Sequence, residues 1–254
     1  MRRLAILNHK GGVGKTTTCF NLACAYADQG LKVLCVDLDP QGHLALSFGI
    51  TEAGLSGVDS LFFDDADLSP LLIEAREGID LLPAGYRLGE IERLAAQGRS
   101  KAQLLRQRLD EIADDYDLLM MDCPPNSGLL NFNALFVADE VVIPVSGDYL
   151  ALQGLSQLLK TLRSAERFMN KPIRMWIALT RFTVRRRLAQ QVRDKLIRYF
   201  PDKLLATAVR ENAPLAECPS FGKSIFDYSR RSNGAQDYRA LADDLLYGRV
   251  VGSA

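Results

Sequence analysis

The sequence predicts an α/β fold, a doubly wound and mainly parallel sheet flanked by helices, as a single domain over residues 1–254. The first observation is an apolar run, Leu4–Leu7, that leads into a glycine-rich turn and a helix-like segment, CFNLACAYA. The second is that later apolar runs, such as LKVLCVDLDPQG and DYDLLMMDCPP, end in acidic or turn residues and are separated by helix-like stretches. Buried strands that alternate with helices are typical of a parallel sheet covered on both faces.

The composition is that of an ordinary globular protein, with 48% hydrophobic and 24% charged residues. No apolar run reaches the roughly 20 residues of a membrane span, and the first strand begins too early to leave room for a signal peptide. We therefore expect a cytoplasmic protein that does not enter a membrane. The net charge is zero, so any nucleic-acid binding must come from a local basic patch.

The cysteines do not form a metal or disulfide pattern. There are five of them, scattered without a CxxC pair and mostly in apolar surroundings. This indicates buried, reduced thiols and neither a disulfide framework nor a zinc site. The five are Cys19, Cys24, Cys35, Cys123 and Cys218.

The segment KGGVGKTT predicts a phosphate-binding loop. Gly11, Gly12 and Gly14 permit backbone conformations closed to residues with a Cβ, so that successive N–H groups can point at phosphate oxygens. The following helix adds its N-terminal N–H groups, Lys15 adds a charge for the β- and γ-phosphates, and the Thr16 hydroxyl can bind Mg²⁺. The predicted phosphate-binding residues are Gly11, Gly12, Val13, Gly14, Lys15, Thr16 and Thr17.

This loop departs from the general GxxxxGK[ST] pattern, because His9 stands where the first glycine is expected and a second lysine, Lys10, opens the loop. The alternative is a tight glycine turn with solvated lysines. KGGVGKTT resembles the deviant Walker A loop of the ParA/MinD family of ATPases, in which the first lysine reaches across a dimer interface to the partner's nucleotide. The resemblance implies ATP and Mg²⁺ as cofactors, a homodimer with ATP, and catalytic roles for Lys10 and Lys15.

Two acidic motifs follow at the ends of predicted strands, where an open α/β sheet places its chemistry. Asp37 and Asp39 alternate in VDLDPQG, which puts both on one face if the strand continues. The motif resembles the family's acidic motif, which implies that Asp39 orients or activates the attacking water while Asp37 supports Mg²⁺. The alternative is that both carboxylates cap the loop and the next helix.

Asp122 ends the strand of DYDLLMMDCPPNSG, a Walker B arrangement in which it would hold a Mg²⁺ water. The DxPP motif again resembles ParA-type proteins. Cys123 also suggests the iron–sulfur relatives of this superfamily, but their ligand motifs are not found in this sequence.

The remaining segments give weaker signals. SGVDSLFF and SPLLIEA are expected to be short helices and GIDLLPAG a strand and turn. The second half of residues 86–113 is expected to be an amphipathic helix preceded by a turn at Gly98. The resemblance makes Asp148 a candidate interface residue and implies adenine contacts at Thr180 and at Asn212 to Pro214.

Two basic segments are candidates for DNA contact. In TRFTVRRRLAQQVRDKLIR, three successive arginines on a helix fan out over about 200°, so they do not share one face. The segment VRENAPLAECPSFGKSIFDYSRRSNG resembles the C-terminal signature of small ParA proteins, whose basic residues contact DNA phosphates without reading sequence. The alternative is a solvated or salt-bridged face. The candidates are Arg210, Lys223, Arg230, Arg185, Arg186 and Arg187.

The resemblance implies an ATP-dependent dimer that binds double-stranded DNA non-specifically on the nucleoid and positions DNA or protein cargo. A ParB-like protein or another cargo adaptor would stimulate its slow hydrolysis, since a site completed only on dimerisation is not preorganised in the monomer. One alternative is a membrane- or scaffold-associated switch of the MinD type, although ADDLLYGRVVGSA lacks a basic amphipathic face. Another is a metabolic ligase similar to dethiobiotin synthetase. Since no helix-turn-helix segment stands before the ATPase motifs in this sequence, we do not expect a sequence-specific operator-binding partition protein with an N-terminal extension.

Overall fold

A computed structural model describes residues 1–91, 103–125, 128–148 and 150–252. Within these ranges seven strands form one sheet: β1 Arg2–Ile6, β2 Val33–Asp37, β3 Ile73–Arg76, β4 Ile79–Leu82, β5 Leu118–Asp122, β6 Glu140–Ser146 and β7 Arg174–Thr180. Their order across the sheet is β3-β4-β2-β5-β1-β6-β7. Only β3, at one edge of this described sheet, pairs in the antiparallel direction. The mainly parallel sheet predicted from the sequence is confirmed.

Helices cover both faces of the sheet. The described α-helices are α1 Lys15–Ala27, α2 His43–Ser47, α3 Val58–Phe63, α4 Leu104–Asp110, α5 Leu129–Val137, α6 Leu150–Met169, α7 Arg187–Tyr199, α8 Ala213–Glu217, α9 Ile225–Tyr228 and α10 Asn233–Tyr247. Among these residues, none of the helices combines the length and apolar character needed to cross a bilayer.

The two faces of β1 belong to different hydrophobic clusters, which is why its apolar run is continuous. Leu4 and Ile6 pack in a cluster that includes Phe20 of α1, whereas Ala5 and Leu7 pack in a second cluster with residues of α4 to α7. Side chains alternate across a strand, so a strand buried on both sides needs apolar residues at every position. This double covering is the doubly wound arrangement.

The strand register brings the predicted acidic residues to one edge of the sheet. Asp122 at the end of β5 is the register partner of Ile6 in β1 and of Asp37 in β2. Since β1 runs directly into the glycine-rich loop, that loop and both carboxylates lie at the carboxyl ends of three adjacent strands. Open α/β sheets generally bind their ligands at the carboxyl ends of the strands, so this edge is the candidate binding site.

Three local predictions are corrected or left open. SPLLIEA is not a short helix: Ser69–Leu71 form a single 3₁₀ turn, and the strand β3 follows. The three arginines do not share a helix, because α7 begins at Arg187. The expected turn at Gly98 lies outside the described residues.

Candidate functional site

Two glycines of the glycine-rich loop, Gly12 and Gly14, have the left-handed backbone that the sequence predicts. Gly12 and Gly14 adopt positive φ angles of 73° and 86°, and Gly14 is the residue directly before α1. A residue with a Cβ is strained in this conformation. Gly11 does not adopt a positive φ. The loop therefore depends on Gly12 and Gly14 for its turn into the helix.

The outward carbonyls of the loop are bound by side chains. Thr180 donates its hydroxyl to the Val13 carbonyl at 2.8 Å, and Arg181 donates Nη1 to the Gly12 carbonyl at 3.3 Å. Carbonyl groups fixed on the outside leave the loop N–H groups available to an anion. Thr180, for which the resemblance implies an adenine contact, therefore holds the phosphate loop and also lines the cavity beside it.

The two lysines of the loop point to different places. Lys15 is 7% exposed and donates to the Lys10 carbonyl at 3.4 Å. Burial lowers the pKa of Lys15, and the charges of Asp122 and Asp39 act against this shift. The Lys10 side chain is more exposed, and its Nζ lies 2.5 Å from Oδ1 of Asp148, just beyond β6. Lys15 therefore lies inside the phosphate-binding loop, and Lys10 lies at the outer edge, or rim, of that loop.

Asp37 and Asp39 both bind backbone N–H groups. Asp37 is fully buried and accepts hydrogen bonds from the amides of Asp39, at 3.0 Å, and Leu44, at 3.1 Å. Asp39 is partly exposed and accepts from the amide of Gln41 at 3.0 Å. The capping role weighed as the alternative is therefore present. A carboxylate has about four acceptor positions, so capping leaves room for water or a metal-bound water.

Asp122 is the most unusual group of the site. Both of its carboxylate oxygens are buried, and no described residue makes a hydrogen bond of normal geometry with either. Burial raises the pKa of Asp122 to about 7, and the Thr16 hydroxyl and the Lys15 charge act in the opposite direction. Burial and the neighbouring Asp122 also raise the pKa of Asp37. A buried carboxylate without partners is costly unless a cation or hydrogen-bond donor satisfies it.

Thr16, Asp37 and Asp122 together fit a magnesium ion that arrives with a phosphate. Mg²⁺ prefers oxygen ligands, keeps several waters and is usually bound through one or two carboxylates plus substrate phosphates. The described residues contain no group of three His, Cys, Asp or Glu side chains that could hold a metal alone. The fit is therefore to a Mg²⁺–nucleotide complex and not to an independent metal site.

A side cavity of about 450 Å³ next to the loop has the size and lining of a base pocket. Asn212 lines it, and its buried Oδ1 makes no hydrogen bond to any described residue. The Asn212 side-chain amide offers both a donor and an acceptor, the two kinds of group that the edge of a nucleobase pairs with. Pro214 is not among the lining residues and lies in the first turn of α8. Other residues along the wall are Thr17, Thr180, Arg181, Val209, Arg210, Ala213 and Tyr238.

Most of the predicted DNA contacts are exposed. Lys223 follows a 3₁₀ turn, Arg230 precedes α10, and the three arginines before and at the start of α7 are also exposed. Arg210 differs, because it pairs with Asp237 through Nη2 at 2.6 Å and Nε at 2.9 Å. Asp237 is only 6% exposed. Arg210 therefore compensates a buried carboxylate at the edge of the base pocket, and we remove it from the proposed DNA surface.

Sequence reasoning missed Arg181, Asp237 and Asn21 as site or supporting residues. Arg181 follows the end of β7 and has a positive φ of 49°. No sequence pattern predicts this backbone conformation for an arginine. Asn21 carried a signal, since it is a polar residue within the apolar helix segment CFNLACAYA. The five cysteines are free and buried, as predicted.

The fold and the site together define a P-loop nucleotide-binding protein with a second lysine at the start of the loop. A family model described as "AAA domain" matches residues 1–175. The chain is 40% identical over 245 residues to the sporulation initiation inhibitor protein Soj of Bacillus subtilis, covering 95% of this chain and 97% of the relative. It is 40% identical over 250 residues to the chromosome-partitioning ATPase Soj of Thermus thermophilus, covering 97% and 96%. The chain belongs to the ParA/Soj-type family of P-loop ATPases.

Solved structures agree on the fold. Cobyrinic acid a,c-diamide synthase from Mycobacterium smegmatis, with bound ADP and magnesium, is 31% identical, with a TM-score of 0.84 over 96% of this chain and 94% of that one. McdA from Cyanothece, at 20% identity and a TM-score of 0.86 over 97% and 99%, supports the fold alone. ATP and Mg²⁺ are the cofactors of a P-loop ATPase, and the residues of this site fit both.

Proposed function

We propose that this chain is an ATP-dependent dimerising switch that binds DNA non-specifically and positions DNA or protein cargo. The observation that carries the proposal is the division between the two loop lysines. Lys15 is buried within its own phosphate cradle, whereas Lys10 lies at the rim and is bound to Asp148. A cation at the rim, released from Asp148, is available to a nucleotide held by a second subunit, and this supports the proposal.

ATP binds with its phosphates against the loop N–H groups and Lys15, and with Mg²⁺ near Thr16, Asp37 and Asp122. Asp39 lies at the open side of this cleft and orients the attacking water. Hydrolysis is slow in the monomer because Lys10 is not at the phosphates, and electrostatic catalysis requires groups already in position. Dimerisation and a ParB-like or other adaptor protein complete the site.

The ATP-bound dimer contacts DNA through exposed basic side chains. Lys223, Arg230 and the arginines from Arg185 to Arg187 are all exposed. The chain as a whole is neutral, so the attraction is local and comes from release of counterions at the phosphates it contacts. Such contacts do not read sequence. This behaviour places the protein on the nucleoid in the cytoplasm, without membrane contact, and the partition-related names of its relatives support the same proposal.

The test is retention of duplex DNA of arbitrary sequence by the purified protein with ATP, with ADP and without nucleotide. Asp39→Ala is included to hold the ATP state. Binding only with ATP, lost steeply as salt rises, supports the proposal. A dimer that forms with ATP but does not bind DNA in any state contradicts it, and the basic residues are then a solvated face.

Two alternatives give different results in the same preparation. A switch of the MinD type binds anionic vesicles with ATP and does not retain DNA. A metabolic ligase, the class suggested by the name of the Mycobacterium structure, turns over ATP only when an acceptor molecule is supplied. ATP turnover that DNA and a partner accelerate, without an acceptor, separates the proposed switch from both.

A further inference from the structure

The turn that carries Lys223 touches the segment that follows α2 through two glycines. A Cβ built on Gly222 would lie 2.6 Å from Cα of Gly49, and a Cβ built on Gly49 would lie 3.3 Å from Cα of Gly222. Both glycines have positive φ angles, 59° at Gly222 and 80° at Gly49. The two backbones are therefore in direct contact, and no flexible side chain separates them.

The helix on one side of this contact is fixed by a carboxylate of the nucleotide site. Asp37 accepts a hydrogen bond from the amide of Leu44, in the first turn of α2, at 3.1 Å. At the other end of α2, the amide of Gly49 donates to the Leu46 carbonyl at 2.9 Å. The short helix α2 thus connects Asp37 to Gly49, the residue that touches Gly222.

A second connection runs through α1, which begins at the phosphate loop. Asn21 is fully buried and donates its Nδ2 to the Thr17 carbonyl at 2.9 Å. Its Oδ1 accepts a hydrogen bond from the amide of Ile225 at 3.0 Å. The turn from Gly222 to Ile225 is therefore attached at both ends to helices that start at the nucleotide site, with Lys223 between the two attachments.

We propose that Gly49, Gly222 and Asn21 are positioning residues that set the place of Lys223 according to the nucleotide state. Close-packed backbones transmit displacement because they have no free space to absorb it. A movement of α2 or of the first turn of α1 on ATP binding therefore moves the turn that carries Lys223. The inference rests on the proposed function, since it supplies the route by which ATP controls DNA binding.

The first test replaces Gly222 by Ala, whose Cβ forces the two backbones apart. The matched control is Gly54→Ala, because Gly54 also has a positive φ, 75°, but a Cβ there would meet no atom within 4 Å. Both variants place a Cβ on a left-handed backbone, and only Gly222→Ala breaks the contact. In Gly222→Ala we expect the ratio of DNA affinities with ATP and with ADP to fall by about tenfold or more. Both affinities are measured at saturating nucleotide, because Gly222 also lines the cleft beside the phosphate loop. A ratio equal to that of Gly54→Ala would overturn the inference.

A second measurement needs no substitution and remains decisive if Gly222→Ala does not fold. Hydrogen exchange of residues 218–226 in the unmodified protein is followed with and without ATP, at a dilution where sedimentation shows a monomer. Slower exchange with ATP supports the inference, and equal exchange overturns it. If the unmodified protein does not bind DNA in any nucleotide state, the proposed function itself fails. If it binds with ATP and Gly222→Ala behaves identically, the positioning role alone is wrong.

Discussion

Nζ of Lys10 lies 2.5 Å from Oδ1 of Asp148, so the first lysine of the phosphate loop is bound within its own subunit. The Ser146 hydroxyl donates to the other Asp148 oxygen at 2.7 Å, which orients the carboxylate. Lys10 must leave Asp148 before it can reach a nucleotide in a second subunit. The ion pair therefore opposes the dimer that we propose.

Replacing Asp148 by Ala should strengthen ATP-dependent dimerisation, because the pair no longer has to be broken. Pairs this exposed contribute about 0.2–1 kcal/mol each, and a symmetric dimer breaks two of them, so the dimer Kd should fall by about 2- to 30-fold in sedimentation experiments. The matched control is Asp139→Ala, which removes a similar pair with Lys171, at 2.7 Å. A weaker dimer in Asp148→Ala would instead identify Asp148 as a direct interface contact.

Replacing Lys15 by Ala should abolish nucleotide binding, because the buried charge partner of the phosphates is removed. Hydrogen bonds to charged groups contribute about 1.5–3 kcal/mol each, so the Kd for a fluorescent ATP analogue should rise by about 10- to 100-fold or more. Lys32→Ala, which removes an exposed lysine directly before β2, serves as the control. Unchanged affinity in Lys15→Ala would contradict the phosphate-loop assignment.

Replacing Asp39 by Ala should leave ATP binding and dimerisation intact while slowing hydrolysis. A positioned acid or base contributes about 10²- to 10⁴-fold, so phosphate release should fall by about 100-fold or more. Gln41→Ala is a suitable control, since Gln41 reaches Asp39 through its backbone amide, which the substitution keeps. Normal turnover in Asp39→Ala would move the water-orienting role to another residue.

Replacing both Lys223 and Arg230 by Ala should weaken DNA binding and reduce its salt dependence. Each lost phosphate contact lowers the slope of log K against log salt by about 0.9, so a loss near 2 is expected. Arg210→Ala makes the contrasting control: it should lower the melting temperature, because the largely buried Asp237 loses its partner, and leave the slope unchanged. An unaltered slope in the double variant would place the DNA surface elsewhere.

Replacing Asp122 by Asn should stabilise the nucleotide-free protein, more so at pH 8 than at pH 5. Burial raises the pKa of Asp122 to about 7, whereas an unfolded aspartate titrates near 3.9. Between about pH 4 and 7 the folded state binds the extra proton, so folding stability falls as the pH rises. The side-chain amide of asparagine does not ionise, so Asp122→Asn avoids this loss of folding stability.

Thermal melts at the two pH values, without Mg²⁺, measure the effect of Asp122→Asn. Each kcal/mol gained should raise the melting temperature by about 2–4 °C. Asp114→Asn, at an exposed aspartate, controls for the change of net charge. An equal gain at both pH values would show that titration of Asp122 is not the cause.

Local sequence patterns predict the parallel strands of the sheet, the glycine-rich turn before α1 and the acidic residues at the strand ends. The glycines at positions 12 and 14 indicate a left-handed backbone. The apolar runs before Asp37 and Asp122 indicate strands that are buried on both faces. SPLLIEA was assigned wrongly because a short apolar run fits a helix or a strand equally well. The edge strand β3 is decided by its pairing with β4, which is a tertiary contact.

The ion pairs could not be read from the sequence, because their members are far apart along the chain. Lys10 and Asp148 are separated by 138 positions, and Arg210 and Asp237 by 27. Charge patterning identifies basic segments, but it does not say which arginine is already neutralised by a buried acid. The sequence therefore predicts Arg210 as a DNA contact, whereas in the structure Arg210 pairs with Asp237.

The position of β1 inside the sheet, between β5 and β6, has a consequence for biosynthesis. Arg2 pairs with Leu118 and Leu4 pairs with Glu140, so the strand made first waits for neighbours made much later. At roughly 5–20 residues per second, the emerging chain lacks those neighbours for several seconds. The phosphate loop is therefore held in place only after most of the polypeptide has left the ribosome. A nascent chain that lacks these strands has no formed nucleotide site. ATP binding therefore indicates that the sheet around β1 has formed.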